Sequence, residues 1–190
     1  MTDCQDCTPG WYCGGSGLAV PTAACARGYY CTGRAENNSQ RLCTQGHKCP
    51  LGSPNPIPCD AGFYQNEVGQ STCKLCRSGH YCNNTNGPVI TFEPCVEGHY
   101  CPNGTRYAVE FKCPPGTFNN RTGMEERADC LPCTGGYVCD EWGLVRPNRL
   151  CGAGYFCREG ANSTTPNLGD KANICPEGHY CPEGMKLCFQ

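Results

Sequence analysis

Apolar side chains in this chain come in short clusters, each tied to a cysteine and a glycine. The unit is a cysteine, two variable residues, a glycine and then two bulky positions that are mostly rings. It begins at Cys7, Cys25, Cys43, Cys59, Cys76, Cys95, Cys113, Cys133, Cys151 and Cys175. Eight of these ten units close with a second cysteine after five intervening residues, whereas those at Cys59 and Cys113 run on to Cys73 and Cys130. Glycine three residues after the cysteine takes positive φ at no steric cost, so each unit predicts a tight turn. The ring positions after it are predicted to cover the sulfurs of a neighbouring disulfide. Spacers rich in Gly, Pro, Asn and Thr predict short hairpins and turns with little helix. Units this small cannot bury their own faces and must lean on their neighbours. The expected fold is therefore small and disulfide-rich: an elongated rod of tandem cysteine-rich modules built from short β-hairpins and turns.

The spacing groups the units into blocks. The first, residues 1–55, holds CTPGWYC, CARGYYC and CTQGHKC and runs into the proline-rich stretch at residues 50–58. The second, residues 56–107, contains a long loop, Cys59 to Cys73, followed by CRSGHYC and CVEGHYC. The third, residues 108–185, starts with the long loop Cys113 to Cys130 and carries an insertion at residues 158–174 before CPEGHYC. Residues 186–190 read as the start of a further module. Cys4 sits where Cys73 and Cys130 sit, as the closing cysteine of a long loop, and Cys188 reads as the opening cysteine of the next. Both ends are thus expected to be cut in mid-repeat, from a longer precursor.

Composition sharpens this picture. Twenty-two cysteines in 190 residues is about 12%, a disulfide-scaffold level. Without them the apolar share is too small for a large core, so cross-links must replace it. The C-x-x-C pairs Cys4–Cys7, Cys73–Cys76 and Cys130–Cys133 each lead into a glycine-and-ring motif rather than into a second pair or paired histidines, which speaks against zinc. Sequons at Asn37, Asn83, Asn103, Asn120 and Asn162 exceed chance and avoid the short motifs, as expected of exposed, N-glycosylated loops in an extracellular protein, secreted or at the cell surface. Ser163, Thr164 and Thr165 before Pro166 are candidate O-glycan sites. No stretch approaches the length of an apolar membrane span. A net charge of −2 without a basic run gives no reason to expect nucleic acid.

The candidate chemistry is sparse. His47, His80, His99 and His179 all follow the turn glycine, a slot filled elsewhere by Trp11, Tyr29, Tyr137 and Tyr155. A position that accepts any flat ring reads as structural rather than as a metal ligand or catalytic base. Glu125, Glu126 and Asp129, with Arg121 and Arg127, read as a solvated loop face without the spacing of a calcium loop. No nucleophile elbow, phosphate loop or dinucleotide fingerprint occurs, so neither an enzyme nor a cofactor is expected beyond covalent glycans. Phe92, Tyr107, Phe111 and Trp142 lie outside the turns and are candidates for contacts between modules or chains.

C-P-P-G-T-F, a long loop, C-x-x-C and then C-x-x-G-x-aromatic-C resembles the ephrin-receptor-like cysteine-rich domain, found in Eph receptor ectodomains and in long surface proteins of protists and algae. The cysteine order is also similar to that of tumour-necrosis-factor-receptor modules. The resemblance implies long-loop bridges Cys59–Cys73 and Cys113–Cys130, each followed by interlaced pairs: Cys76–Cys95, Cys82–Cys101, Cys133–Cys151 and Cys139–Cys157. It likewise implies Cys7–Cys25 and Cys13–Cys31, leaving Cys43–Cys49 and Cys175–Cys181 as self-closed loops. Two functions fit such a chain. It is either a segment of an extracellular structural glycoprotein, in a filament, coat or flagellar hair (mastigoneme) with other copies or repeats as partners, or the ligand-binding ectodomain of a cell-surface receptor. Repeat monotony and sequon density favour the first.

Overall fold

A computed structural model describes residues 4–166 and 172–188. Each short motif is a β-turn closed on itself. In the first, the Trp11 amide donates to the Thr8 carbonyl at 3.0 Å while Gly10 holds φ at +86°. Pro9 before Gly10 completes a type II turn, which wants proline and then a left-handed residue at its two central positions. The turn returns the chain so that the sixth residue after the first cysteine stands beside it.

Local closure of this kind settles the bridges. They are Cys7–Cys13, Cys25–Cys31, Cys43–Cys49, Cys76–Cys82, Cys95–Cys101, Cys133–Cys139, Cys151–Cys157 and Cys175–Cys181, together with the long-loop pairs Cys59–Cys73 and Cys113–Cys130. The interlaced pairs Cys76–Cys95, Cys82–Cys101, Cys133–Cys151, Cys139–Cys157, Cys7–Cys25 and Cys13–Cys31 are therefore corrected. The reason is geometric: the turn sets the Cα atoms of Cys76 and Cys82 5.9 Å apart, within ordinary disulfide reach, so each first cysteine meets its own partner. Cys4 and Cys188 are unbridged.

After eight of the ten turns the two ring positions form a strand that pairs with the residues before the next cysteine, while His99 makes an isolated bridge to Lys112. Two compact units result, residues 1–76 with 82–93, and residues 77–81 with 94–190. In the first unit β1 (Trp11–Tyr12) pairs with β2 (Ala23–Ala24), β3 (Tyr29–Tyr30) with β4 (Arg41–Leu42), β5 (His47–Lys48) with β6 (Ile57–Pro58) and β7 (Phe63–Tyr64) with β8 (Lys74–Leu75), all antiparallel. Strands β9 (His80–Tyr81) and β10 (Glu93–Pro94) follow. In the second unit β11 (Thr117–Phe118) pairs with β12 (Leu131–Pro132), β13 (Tyr137–Val138) with β14 (Arg149–Leu150) and β15 (Tyr155–Cys157) with β16 (Ala172–Ile174). Helix among the described residues is confined to one 3-10 turn, Arg127–Asp129.

The core is mostly sulfur. Cys25 and Cys31 pack with Ala35 under Tyr12 and Tyr29; Cys76 and Cys82 pack with Val89 under Tyr64 and Phe92; Cys151 and Cys157 pack with Val138, Ala161 and Ala172 under Tyr155. The second position after the turn glycine thus covers the bridge of the following motif, as Tyr12, Tyr64 and Val138 do. Its neighbour turns outward, leaving Trp11, Phe63 and Tyr137 exposed. A smaller apolar residue serves where a ring was expected, since Val138 is fully buried.

Candidate functional site: a repeated joint between motifs

The recurring feature with functional potential is the joint by which one motif docks on the next. Each turn glycine donates its N–H to the carbonyl at the sixth position after the first cysteine of the next motif. In the first unit these bonds are Gly10 to Cys31, Gly28 to Cys49, Gly46 to Gln65 and Gly62 to Cys82; in the second they are Gly79 to Cys101, Gly98 to Asn119, Gly116 to Cys139, Gly136 to Cys157 and Gly154 to Cys181. The carbonyl of the same glycine accepts from the first cysteine of that next motif, as in Cys25 to Gly10, Cys43 to Gly28, Cys113 to Gly98 and Cys175 to Gly154, at 2.8–2.9 Å. The joint between Gly46 and Gln65 crosses from the first cysteine block to the second with the same bonds as any other.

Two further bonds complete the joint. In seven of the nine joints, three or four residues beyond its sixth position, the next motif supplies a second left-handed residue, whose N–H bonds the first cysteine carbonyl of the leading motif. Gly52 donates to Cys25, Gly69 to Cys43, Gly123 to Cys95, Gly143 to Cys113, Gly160 to Cys133 and Gly184 to Cys151, at 2.8–2.9 Å. Arg34 fills this slot towards Cys7 at 3.3 Å, with φ of +50°. The sixth-position N–H then bonds the carbonyl just after the second glycine, as from Cys31 to Ser53, Cys139 to Ala161 and Cys157 to Met185. The turn glycine also abuts the second glycine two motifs further on. A Cβ on Gly28 would lie 2.1 Å from the Gly69 carbonyl oxygen, and one on Gly98 would lie 2.2 Å from that of Gly143.

Sequence reading missed two further residues in this frame, Gln65 and Asn119. Both occupy the sixth position, where every short motif has its second cysteine, and both are almost completely buried. Their amides replace the sulfur by pinning the long loop. Gln65 Nε2 donates to the Thr72 carbonyl at 2.8 Å and its Oε1 accepts from the Glu67 N–H at 3.1 Å. Asn119 Nδ2 donates to the carbonyls of His99 and Arg121, while its Oδ1 accepts from the Arg121 N–H. With the sixth position so occupied, Cys59 and Cys113 are left to bond Cys73 and Cys130. Aligning every unit on its first cysteine would have exposed both amides, whereas the second glycine varies in spacing and leaves no fixed motif.

The four histidines share one geometry. In each, ring Nδ1–H donates to the carbonyl two residues before it: His47 to Gln45, His80 to Ser78, His99 to Glu97 and His179 to Glu177, at 2.9–3.1 Å. They clasp the turn. His99 is the most buried of them, and its Nε2 has no hydrogen-bond partner. Among the described residues one group of three potential metal ligands comes together, Cys175, Cys181 and Cys188, and two of its sulfurs are consumed in a bridge. The Cys188 thiol lies 3.3 Å from Cys181 Sγ.

All five sequon asparagines are exposed. Asn37 and Asn83 accept from their own Ser39 and Thr85, holding the sequon in a local turn. Thr105 of the Asn103 sequon is buried and donates to the Pro102 carbonyl. Of the O-glycan candidates, Thr165 is exposed and Ser163 and Thr164 are half-buried. Of the four aromatics proposed for contacts between modules or chains, Phe92 stacks edge-on against Tyr64 at 5.2 Å and Phe111 lies 5.7 Å from Tyr100. Both are thus engaged within the chain, whereas Tyr107 and Trp142 remain exposed.

The acidic loop after Asn120 is organised by backbone bonds. Asp129 accepts from the N–H groups of Glu125 and Glu126, and Glu125 accepts from Ser78 Oγ. The sharpest electrostatic feature is Glu110, which takes both Nε and Nη2 of Arg106 and the Arg106 backbone N–H. The Arg106 hydrogen bond holds the Glu110 carboxyl below its ordinary range, and the same bond raises the guanidinium. No helix among the described residues is long and apolar enough to cross a membrane. No family model and no curated protein matches the chain. In architecture it is a small disulfide-rich β protein, and its dense bridging suggests an extracellular setting, as an ectodomain or structural module.

Proposed function

We propose that the chain is a segment of an extracellular structural glycoprotein, in which tandem disulfide-bridged motifs form part of a filament, coat or flagellar hair. The observation that carries the reading is the joint itself: one set of backbone bonds joins successive motifs whatever their side chains. A module docked through its backbone can be multiplied without redesigning each contact, which suits a scaffold made from copies of one part. The five exposed sequons support a sugar-covered surface. The repeats are of the ephrin-receptor-like kind in their glycine turns and long loops, while their short bridges close locally.

Native material tests this directly. Intact mass is expected to fall on treatment with an N-glycosidase, with Asn37, Asn83, Asn103, Asn120 and Asn162 at least partly modified. Electron microscopy is expected to show a regular glycan-covered fibre or coat. Unchanged mass, or isolated membrane-attached monomers, would refute the proposal and favour the receptor alternative.

A further inference from the structure

One of the five sequons lies inside a joint. Asn103, Gly104 and Thr105 follow Cys101, the sixth position of the Cys95 motif, in the stretch where other motifs place their second glycine, and Gly104 holds φ at +79°. The joint that seats the Gly79 N–H on the Cys101 carbonyl at 2.8 Å sets the residue before it, Ser78, against Asn103. The Ser78 N–H donates to Asn103 Oδ1 at 2.8 Å. The asparagine side chain is thereby one of the bonds that hold the two motifs together. Its sequon hydroxyl is committed as well. Thr105 is 1% exposed, and its N–H and Oγ1 both donate to the Pro102 carbonyl, at 3.2 and 2.6 Å. Ser53 makes the same pair of bonds to Pro50 and is likewise buried, in a stretch without a sequon. The buried hydroxyl therefore belongs to the fold of this turn.

The sequons at Asn37 and Asn83 are built the other way round. Ser39 and Thr85 are exposed, and each turns its N–H and hydroxyl back on its own asparagine Oδ1. Asparagine and hydroxyl there form a self-contained surface turn whose side chains bond no other described residue. Sugar transfer uses both groups. The asparagine Nδ2 attacks the anomeric carbon of a diphosphate-linked oligosaccharide; the bond from that carbon to the diphosphate oxygen breaks, the lipid diphosphate leaves with the electron pair, and the amide gives up one proton to a base of the transferase. The hydroxyl two residues on is what makes the tripeptide an acceptor.

We infer that Asn103 accepts its sugar only before the Cys95 motif folds and docks, whereas Asn37 and Asn83 remain acceptors in the bridged protein. The inference rests on the glycoprotein reading above and adds to it an order of modification and folding. Presenting Asn103 to a transferase from the folded state requires the Ser78 and Thr105 bonds to open together, and two hydrogen bonds correspond to about thirtyfold in rate. A sugar already in place leaves the joint its bond, because the sugar is carried on Nδ2 and Ser78 uses Oδ1. Occupancy at Asn103 thus records whether transfer outran closure of the Cys95–Cys101 bridge, which ends just before the sequon.

The test uses the whole chain made without sugar, once with its bridges formed and once reduced and alkylated. Each form is given a purified oligosaccharyltransferase and a lipid-diphosphate-linked oligosaccharide, and glycopeptide mass reads the rate at each sequon. The reduced chain is expected to be modified at Asn37, Asn83 and Asn103 alike. In the bridged chain the rate at Asn103, relative to Asn83, is expected to fall about thirtyfold. Ser78→Pro removes the N–H that Asn103 accepts, at a turn position where Pro9 and Pro115 stand in other motifs, so the turn is kept. With its bridges confirmed by intact mass, that variant should accept sugar at Asn103 about fivefold faster than the parent, the worth of one hydrogen bond, with Asn37 and Asn83 unchanged. An Asn103-to-Asn83 ratio that is the same in bridged and reduced chains overturns the inference. So does a Ser78→Pro chain no faster at Asn103, or a bridged chain refused at Asn37 and Asn83. Native protein without sugar at any sequon would refute the glycoprotein reading instead, and would leave standing the order of acceptance that the purified reaction measures.

Discussion

Replacing Gly28 by alanine separates two costs that the turn glycines carry together. Gly28 has φ of +80° and Gly154 has φ of +83°, so alanine at either position incurs the left-handed penalty of about 1–2 kcal/mol. Only at Gly28 does the new Cβ strike backbone, 2.1 Å from the Gly69 carbonyl oxygen, whereas at Gly154 nothing lies within 4 Å. The clash cannot be relieved by a rotamer change and must open the joint. That breaks the bonds from Gly28 N–H to Cys49 and from Cys43 N–H to Gly28, both 2.9 Å, at about 1 kcal/mol each. Gly28→Ala should therefore cost about 2 kcal/mol more than Gly154→Ala. Native-state hydrogen exchange on the fully bridged protein reads this locally. Protection at the Cys43 amide should fall about thirtyfold more in Gly28→Ala than protection at the Cys175 amide in Gly154→Ala. Equal losses at the two sites would mean that glycine is required for φ alone and that the close approach is unimportant.

Further outcomes follow from other parts of the molecule. Asn119→Ala leaves the His99 and Arg121 carbonyls and the Arg121 N–H without their buried partner, and denaturant titration should show a loss of about 2–4 kcal/mol. Asn119→Cys should divert Cys113 into a short local bridge and release the Cys130 thiol, detectable by alkylation and peptide mass; retention of Cys113–Cys130 would refute the account of the sixth position. Trypsin cleaves after Arg77, between Cys76 and Cys82, and the two halves should stay joined until reduction with no Cys76–Cys95 peptide. The Glu110 carboxyl is held low by Arg106, so the stability that it contributes is present above the unfolded carboxyl's range and is lost as pH falls through the depressed value. Carboxyl NMR should place Glu110 below the ordinary glutamate range in native protein, and Arg106→Gln should raise it.

Much of the fold was legible because the turns are encoded within a few residues. Glycine after two variable positions, rings after glycine and proline-bearing spacers specify a β-turn and a hairpin without reference to the rest of the chain, and the long-loop bridges Cys59–Cys73 and Cys113–Cys130 are those that the resemblance to receptor modules implies. Cys43–Cys49 and Cys175–Cys181 close on themselves as expected, but the other six short bridges were not legible, since spacing leaves connectivity open and the resemblance to receptor modules supplied an interlaced order. What decides between Cys76–Cys82 and Cys76–Cys95 is the three-dimensional return of the type II turn. The joint was hidden for a different reason. It is made of backbone atoms, and its second glycine stands three residues after Cys49 but four after Cys139, so periodicity does not reveal it. Phe92 and Phe111 were read as candidates for contacts between modules or chains; Phe111 does meet Tyr100 of the preceding block, whereas Phe92 packs on Tyr64 within its own block.

Eight of the ten bridges span only six residues of sequence, which governs how the polypeptide answers a pull. Each such bridge withholds only about 20 Å of contour from stretching, so sulfur locks small knots while the spacers between them stay free to run out. Force on the chain is resisted by the hydrogen bonds of successive joints, which yield one at a time without cleaving a covalent bond. Every knot keeps its correct partner throughout, and a strained thread relaxes by re-zipping joints rather than by searching again among twenty sulfurs. Reversible extensibility is thus built into the choice of local over interlaced bridging.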